Sequence, residues 1–152
     1  MENRYLFRGK RKDNGEWVEG SLITGVFFRL GQDIPYILCP DKADYDCFDD
    51  FTEENGIFEV DQSTICQCTG MPDKNSKVAY EHDIIKTPVG NAKIIWNCSP
   101  SPIDNHINVG FEVVFLDAIA NDNYRHDLGY WIGNIEVIGN IFDNQELLEV
   151  RL

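Results

Sequence analysis

Short β-forming segments separated by turn-forming residues are the feature that most constrains the fold of this chain. The segments are rich in β-branched and aromatic residues, which favour an extended backbone. They recur along most of the sequence, and no convincing amphipathic helix of roughly 10 to 15 residues separates them, so parallel β-α-β units are disfavoured. The pattern predicts a mostly β protein built from a small barrel or a strongly bent sheet.

The first half is predicted to be an N-terminal β unit of residues 1–68. Its opening strands should form a hairpin, because the pair Asn14 and Gly15 suits a type I′ turn. Pro35 indicates a strand start or an edge position, since proline has no amide proton to donate. Residues 40–56 are dense in acids, and we interpret them as an acidic loop or short helix that interrupts the strands.

The second half begins after a turn-rich segment, residues 70–77. It repeats the rhythm of strands and turns over residues 78–142, which we interpret as a small β barrel. One helix is expected in the chain, a short closing helix within residues 143–152, whose start Asp143 or Asn144 can cap. The N-terminal unit is expected to pack on the barrel, and the pattern is also compatible with one compact domain overall.

The composition is that of a globular protein that folds without cross-links. Hydrophobic residues make up 43% of the 152 residues and aromatic residues 12%, close to globular averages. Five cysteines are an odd number, scattered through a chain large enough to bury a core, which favours reduced thiols. The sequence has no run of roughly 18 apolar residues and no signal-like start, so a cytoplasmic location without membrane contact is expected.

Charge is distributed unevenly along the chain. Residues 1–12 contain five bases and one acid, whereas residues 13–152 contain 8 bases and 25 acids, which together give the net charge of −13. This field repels polyanions, so direct binding of nucleic acid is disfavoured. Two groups are candidates for partner binding: the acidic residues Asp44, Asp46, Asp49 and Asp50, and the basic residues Arg8, Lys10 and Arg11 beside Trp17.

Catalytic and cofactor motifs are missing from the sequence, including phosphate-binding loops, dinucleotide fingerprints and nucleophile elbows. Each histidine has an aspartate nearby, but sequence adjacency does not make metal ligands converge, and we interpret these pairs as surface polar residues. Cys66 and Cys68 would share one strand face, yet they lack the second pair that structural zinc sites use. No calcium-loop register fits the acidic segment. The chain is therefore expected to be no enzyme and to hold no cofactor or metal.

Three blocks of the sequence resemble one protein family. They are residues 7–20, residues 68–85 around the run Asp73-Lys74-Asn75, and residues 134–148 around the run Glu136-Val137-Ile138-Gly139-Asn140. Blocks similar to these occur in the same order in the YopX family of phage and prophage proteins. The resemblance implies a mobile-element origin, a bacterial cytoplasm as the working compartment, and a β-rich fold whose second half is an SH3-like barrel. It implies no particular activity.

Three residues depart from the pattern of that family. Ser76 and His82 stand where the family usually has glycine, and Gln145 stands where it usually has proline. If those glycines have a positive φ, Ser76 and His82 either adopt a left-handed backbone at some cost or lie in a rebuilt turn.

We therefore expect a non-enzymatic interaction module of a phage or prophage, which binds a host or phage protein or associates with itself. An alternative is an acidic decoy that mimics DNA and occupies a host nucleic-acid-binding protein, because the negative charge is concentrated in the acidic segment. A third possibility, direct contact with nucleic acid through the basic residues and neighbouring aromatic rings, is opposed by the net charge.

Overall fold

The computed structural model describes residues 5–25, 28–29, 32–39, 56–100 and 107–149. The chain divides into two compact units, residues 1–68 and residues 69–152. Both units consist mainly of antiparallel strands, and helices are few. The predicted mostly β class is confirmed.

The first unit is a sheet with the strand order β6-β5-β2-β1-β7, accompanied by the separate pair β3-β4. A 3₁₀ turn, Gln62–Thr64, precedes β7. The strands are β1 (Phe7–Lys10), β2 (Trp17–Ile23), β3 (Phe28–Arg29), β4 (Gln32–Asp33), β5 (Tyr36–Leu38), β6 (Ile57–Glu59) and β7 (Cys66–Pro72). One face of this sheet is apolar and forms a core whose buried members are Val18, Ile37, Cys39, Phe58 and Val60.

Close packing of two backbones explains a glycine in β2. A Cβ atom on Gly20 would lie 1.9 Å from the carbonyl oxygen of Leu38 in β5. No side chain fits in that space, so the β2–β5 pairing requires glycine here.

The hairpin of β1 and β2 is confirmed, but the predicted type I′ turn is wrong. Such a turn needs a positive φ at both central residues, and of the pair only Gly15 has one, at 73°. Arg11 and Glu16 close the loop instead, through a 2.8 Å backbone hydrogen bond. The side-chain oxygen of Asn14 accepts from the Glu16 N–H at 2.9 Å. Asn14 thus shapes the turn through its side chain and keeps an ordinary backbone.

The second unit begins with the last residues of β7, which neighbours β8. Its further strands are β8 (Val78–Tyr80), β9 (Asp83–Thr87), β10 (Gly90–Pro100), β11 (Ile107–Phe115) and β12 (Glu136–Asn140). Two short helices, α1 (Ala118–Asn123) and α2 (Leu128–Trp131), lie between β11 and β12. The buried core contains Ala79, Ile85, Ala92, Ile94, Val113, Phe115, Ala120, Leu128, Trp131 and Ile135.

Four strands of this unit form an open sheet in the order β11-β10-β9-β12. All neighbouring pairs are antiparallel. Within the described residues no hydrogen-bonded pairing joins the edge strands β11 and β12. The SH3-like barrel proposed for residues 78–142 therefore stays a prediction.

The expectation of a single, terminal helix is wrong. Asp117 and Asp127 start two further helices by accepting hydrogen bonds from the N–H groups of Ala120 and Tyr130, at 2.9 and 3.0 Å. Both helices are too short to show a helical period in the sequence. Near the C-terminus the described residues form only a 3₁₀ turn, Gln145–Leu148. Asn144 does not cap that turn, because its side-chain oxygen accepts from the Asn140 N–H at 3.2 Å.

Asp73 links three separate backbone positions in the second unit. One carboxylate oxygen accepts from the N–H groups of Asn75 and Lys77, at 2.8 and 2.9 Å, and the other from that of Val137, at 3.0 Å. Burial opposes ionisation of this carboxyl, but the three N–H donors and the nearby Lys77 outweigh burial and lower the pKa of Asp73. Asp73 thus joins the turn after β7 to the start of β12.

The structure resolves the alternatives for Ser76 and His82. Both residues have left-handed backbones, with φ values of 66° and 67°. The turns are therefore not rebuilt, and each residue tolerates a conformation that glycine adopts more easily. The ring of His82 also meets that of Phe142 edge to face, with centroids 5.7 Å apart.

Gly139 is required by a contact with the segment that follows β12. A Cβ atom at this position would lie 2.4 Å from the side-chain oxygen of Asn144. That oxygen is held by the Asn140 N–H, and the Asn140 side chain in turn accepts from the N–H groups of Phe142 and Asp143, both at 3.0 Å. The last block of the resemblance thus contains side chains whose hydrogen bonds fix the backbone after β12.

None of the helices in the described part of the chain is both long enough and apolar enough to cross a membrane.

Candidate functional site

The hairpin of β10 and β11 has one apolar face that is covered at one end and exposed at the other. Cross-strand partners on this face run from Ala92 and Phe115 to Ile94 and Val113, all of them buried in the core with α1 and α2. Further along, the same face continues into five residues that we call the outer face: Trp96, Cys98, Ile107, Val109 and Phe111. The outer face therefore extends the core row into a region where Trp96, Ile107 and Val109 are exposed and Phe111 is partly buried against the core.

The outer face is apolar and accessible to solvent. The exposed fractions are 44% for Trp96, 67% for Ile107 and 61% for Val109. Trp96 and Phe111 are direct cross-strand partners, and their rings pack edge to face with centroids 4.9 Å apart. Contiguous exposed apolar groups of this kind mark interaction surfaces more often than single exposed residues do.

The backbone of β11 offers hydrogen-bonding groups beside the outer face. The N–H of Val113 points away from β10, because it donates to the carbonyl oxygen of His126 at 2.7 Å. The β10–β11 register is regular, so alternate residues have the same orientation. Ile107 and Val109 therefore direct their N–H and C=O groups away from β10, where no hydrogen bond to another described residue is seen.

A cavity of about 420 Å³ lies beside the edge of β11. It is located between Val113, whose N–H is bonded to His126, and Val109, whose backbone groups have no such bond to a described residue. Residues 109–112 form one wall and residues 125–127 the other. Apolar groups come from Val109 and Phe111, and charged groups come from Glu112, Arg125 and Asp127. The cavity thus combines an apolar wall with carboxylates, as ligand and peptide pockets commonly do.

His126 fixes one wall of this cavity. Its ring nitrogens lie 2.8 Å from two backbone oxygens, Nδ1 from that of Val113 and Nε2 from that of Asn121. The ring thus lies between β11 and α1 at this wall of the cavity.

Arg125 and Asp127 are held by contacts with each other and with α2. The Arg125 Nε donates to Asp127 Oδ2 at 3.1 Å, and its guanidinium lies 4.9 Å from the centre of the Tyr130 ring. The carbonyl oxygen of Arg125 accepts from Trp131 Nε1 at 2.8 Å. These contacts order the segment without enclosing it, and Tyr130 remains exposed.

The basic residues predicted to bind a partner lie together on the β1–β2 hairpin. The guanidinium carbon of Arg8 and the ammonium of Lys10 lie 4.8 and 5.4 Å from the centre of the Trp17 ring. Arg11 lies over Phe58 at 4.5 Å, and its Nε donates to Asp13 Oδ1 at 2.9 Å. The sequence therefore grouped these residues correctly, but the structure shows them in contacts within the unit. Their role in partner binding stays a prediction.

The acidic candidates lie outside the described residues. Asp44, Asp46, Asp49 and Asp50 belong to the segment between residues 39 and 56, and the structure describes none of them. The decoy hypothesis that rests on them stays a prediction.

The pairs of histidine and aspartate do not form a metal site in the described part of the chain. Asp83 is buried and accepts from the Tyr80 N–H at 2.8 Å, while Asp127 caps α2. His82 and His126 have the contacts given above, and His106 lies outside the described residues. Across the described ranges no three side chains of histidine, cysteine, aspartate or glutamate gather at one point.

Cys66 and Cys68 are buried, and neither forms a disulfide. The thiol of Cys66 lies 3.1 Å from the carbonyl oxygen of Thr64 in the same unit. Both cysteines have an exposed fraction of 0%. Cys39 is also buried, whereas Cys98 is exposed on the outer face.

Sequence reasoning missed the outer face, although a signal was present. Apolar residues alternate at Ile107, Val109, Phe111, Val113 and Phe115, a period that predicts a strand with one apolar face. Pro100 and Pro102 precede this alternation and indicate a loop, so the sequence alone predicts a strand only from residue 110. Which part of the apolar face is covered depends on α1 and α2, and neither helix was predicted.

Comparison with known proteins agrees with the resemblance noted in the sequence. The family model described as YopX protein matches residues 6–149. No curated protein matches the chain at a significant level. Because the match covers nearly the whole chain, this protein belongs to the YopX protein family.

Proposed function

We propose that this protein is a non-enzymatic interaction module that binds a partner protein through the outer face of the β10–β11 hairpin. The observation that supports this most directly is the apolar row that leaves the core and continues, uncovered, through Trp96, Val109 and Ile107. Burying apolar surface stabilises a complex by roughly 25 cal/mol per Å² before the costs of association. Leaving it in water gives no comparable gain to the protein alone.

The partner is a different protein rather than a second copy. A net charge of −13 makes two copies repel each other, whereas it attracts a neutral or basic partner. The family resemblance supports the proposal that this partner is a host or phage protein in the bacterial cytoplasm.

The decoy hypothesis is the second candidate function. It rests on the balance of 8 bases and 25 acids over residues 13–152. A decoy binds through many charges, so its complex weakens steeply as salt rises. A module that binds through the outer face is much less sensitive to salt.

Affinity capture with matched variants tests both candidates. The wild type and the double variant Ile107→Thr/Val109→Thr are used as baits in bacterial and phage-induced lysates at low and high salt. Threonine keeps the β preference and removes the apolar surface. The matched control is Ile119→Thr, which makes the same change at a residue of α1 that is 75% exposed.

The module hypothesis predicts a partner that survives high salt, is lost from the double variant and is retained by the control. A partner retained equally by all three baits would contradict it. Loss at high salt, together with loss when Asp44, Asp46, Asp49 and Asp50 are changed to Asn, would favour the decoy. Dimerisation of the wild type in sedimentation, abolished in the double variant, would show that the outer face binds a second copy.

A further inference from the structure

We propose that the β11 edge beside the outer face binds an extended, basic segment of the partner by β-strand addition. This inference rests on the proposed function and specifies how the partner is recognised. In strand addition, backbone hydrogen bonds provide affinity and alternate side chains provide specificity. Both elements are present together on β11.

The chain itself shows how a strand joins this edge. The segment through Asp127 runs antiparallel to β11, with Asp127 opposite Glu112 and with the 2.7 Å bond from the Val113 N–H to the His126 carbonyl oxygen. It then turns into α2 at Leu128. The internal segment therefore ends before it reaches the backbone N–H and C=O groups of Val109 and Ile107 that point away from β10. An added strand would pair with these groups and follow the internal segment along the β11 edge.

The register of this added strand follows from the orientation of β11. Side chains of an antiparallel neighbour alternate in step with those of Ile107, Val109 and Phe111. Every second residue of the partner segment thus lies on the outer face, where an apolar side chain is favoured. The intervening residues lie on the opposite face and need not be apolar.

Charge favours a basic segment. Residues 107–127 hold four acids, Glu112, Asp117, Asp122 and Asp127, and one base, Arg125. The outer face itself has no charged side chain. The cavity where the antiparallel segment enters is lined by two carboxylates, Glu112 and Asp127, and by Arg125, which pairs with Asp127 at 2.9 Å. One carboxylate remains in excess of the guanidinium, so a lysine or arginine at that end is attracted to it.

The probe is a synthetic peptide, Lys-Val-Thr-Val-Thr-Val-Lys, titrated into the full-length ¹⁵N-labelled protein. Three control peptides are used. One has glutamate in place of lysine, and the other two have N-methyl groups on alternate amides, each on one of the two alternating sets. The variant Val109→Pro removes one outward N–H and leaves the hydrogen bonds to β10 intact, because proline is tolerated where the N–H of an edge strand faces away. Its matched partner Val109→Thr keeps the N–H and alters the side chain.

Strand addition predicts saturable binding of the lysine peptide, with exchange of the Val109 amide proton slowed at least about tenfold in the complex. Val109→Pro should weaken binding about five- to tenfold, the effect of one lost backbone hydrogen bond. At least one of the two N-methylated peptides should bind weakly, because its methyl groups replace the N–H groups that face β11. The glutamate peptide should bind less well than the lysine peptide. If Val109→Pro does not fold, the methylated peptides provide the same comparison.

Strand addition would be overturned if Val109→Pro bound the lysine peptide as tightly as the wild type does, or if both N-methylated peptides bound as tightly as the unmethylated one. Either result would leave the proposed function intact. Absence of binding by the lysine peptide, or amide shifts confined to residues away from β11, would also overturn strand addition. The proposed function fails separately, when lysate partners are retained by the Ile107→Thr/Val109→Thr bait.

Discussion

Two regions of the second unit differ in what their side chains do. Around Asp73 and Gly139, polar side chains are directed inward and each binds backbone groups of another segment. Along the outer face, most apolar side chains are exposed, and only Phe111, which packs on Trp96, is partly buried against the core. The first region contains the residues on which the family resemblance rests, whereas the outer face lies between two of the blocks.

This contrast separates the residues that carry the family resemblance from the surface that we propose to bind a partner. Asp73 cannot be replaced without leaving three N–H groups in need of an acceptor, so a recognisable motif arises from folding alone. Ile107 and Val109 need only remain apolar, and many side chains satisfy that requirement. The following predictions test whether stability depends on the first region and binding on the second.

Replacing Asp73 should have the largest effect. Asp73→Ala removes the acceptor for the N–H groups of Asn75, Lys77 and Val137, and we expect a loss of about 3 kcal/mol in the free energy of unfolding. Urea denaturation followed by circular dichroism measures this. The matched control is Lys74→Ala in the same turn, whose partner Glu136 is a surface contact worth less than about 1 kcal/mol. An equal loss in both variants would contradict the role given to Asp73.

Acidification should reproduce part of the same loss. Folding lowers the pKa of Asp73 below the ordinary value of 3.8, so its contribution is complete above about pH 4 and disappears as the pH falls through the folded-state pKa. Wild-type stability should therefore decline in this range more steeply than that of Asp73→Ala. Parallel pH profiles of the two proteins would show that other groups govern acid unfolding.

Adding one methyl group at Gly139 should cost about 2 kcal/mol, because the new Cβ and the Asn144 side chain cannot occupy the same space. Thermal unfolding measures the loss. Gly129→Ala in α2 is the matched control, since its Cβ would lie 3.6 Å from the nearest atom, Asp127 Oδ1. The control should be neutral or stabilising, as alanine favours helix. A destabilised control and an unaffected Gly139→Ala would contradict this packing.

Ser76→Gly should stabilise the protein by about 1 kcal/mol, because Ser76 has a left-handed backbone with φ at 66°. His82→Gly should gain less, since it also loses the ring contact with Phe142. The melting temperatures of the two variants rank these effects. Destabilisation by Ser76→Gly would mean that the serine side chain contributes more than its backbone costs.

Ile107→Thr should have the smallest effect on stability, less than about 0.5 kcal/mol, because the side chain is mostly exposed. It should nevertheless weaken capture of the partner. Measuring both quantities on one preparation separates the two regions. A large loss of stability would show that Ile107 belongs to the core and that the outer face is not free to bind.

The sequence predicted the fold class and several details of the first unit. Alternation and turn residues indicated the hairpin of β1 and β2 and the strand after Pro35, because local chemistry determines both. It missed α1 and α2, since helices of one or two turns leave no period to detect. Their only local signal is an aspartate before each helix, and aspartate is common in this chain.

The candidate site was less predictable than the fold. The clustering of Arg8 and Lys10 around Trp17 follows from the observed register, in which Lys10 lies opposite Trp17. A two-residue turn at Asn14 and Gly15 would instead place Lys12 opposite Trp17, so the sequence predicted the hairpin but not this pairing. Whether Val109 is exposed depends on where α1 and α2 end, and this is a matter of tertiary packing. The role of Asp73 was likewise hidden, because its partner Val137 is distant in the sequence.

The open edge of β11 also has a consequence for how this protein behaves when no partner is present. An apolar edge strand with unpaired backbone groups is a template for aggregation, and natural proteins usually protect such edges with lysine, proline or a bulge. Here the regular register from Ile107 to Phe115 contains one charged residue, Glu112, and no proline. Colloidal stability therefore depends on the net charge of −13. Solubility of the isolated protein should fall as salt screens that charge or as the pH approaches the isoelectric point near 4.4.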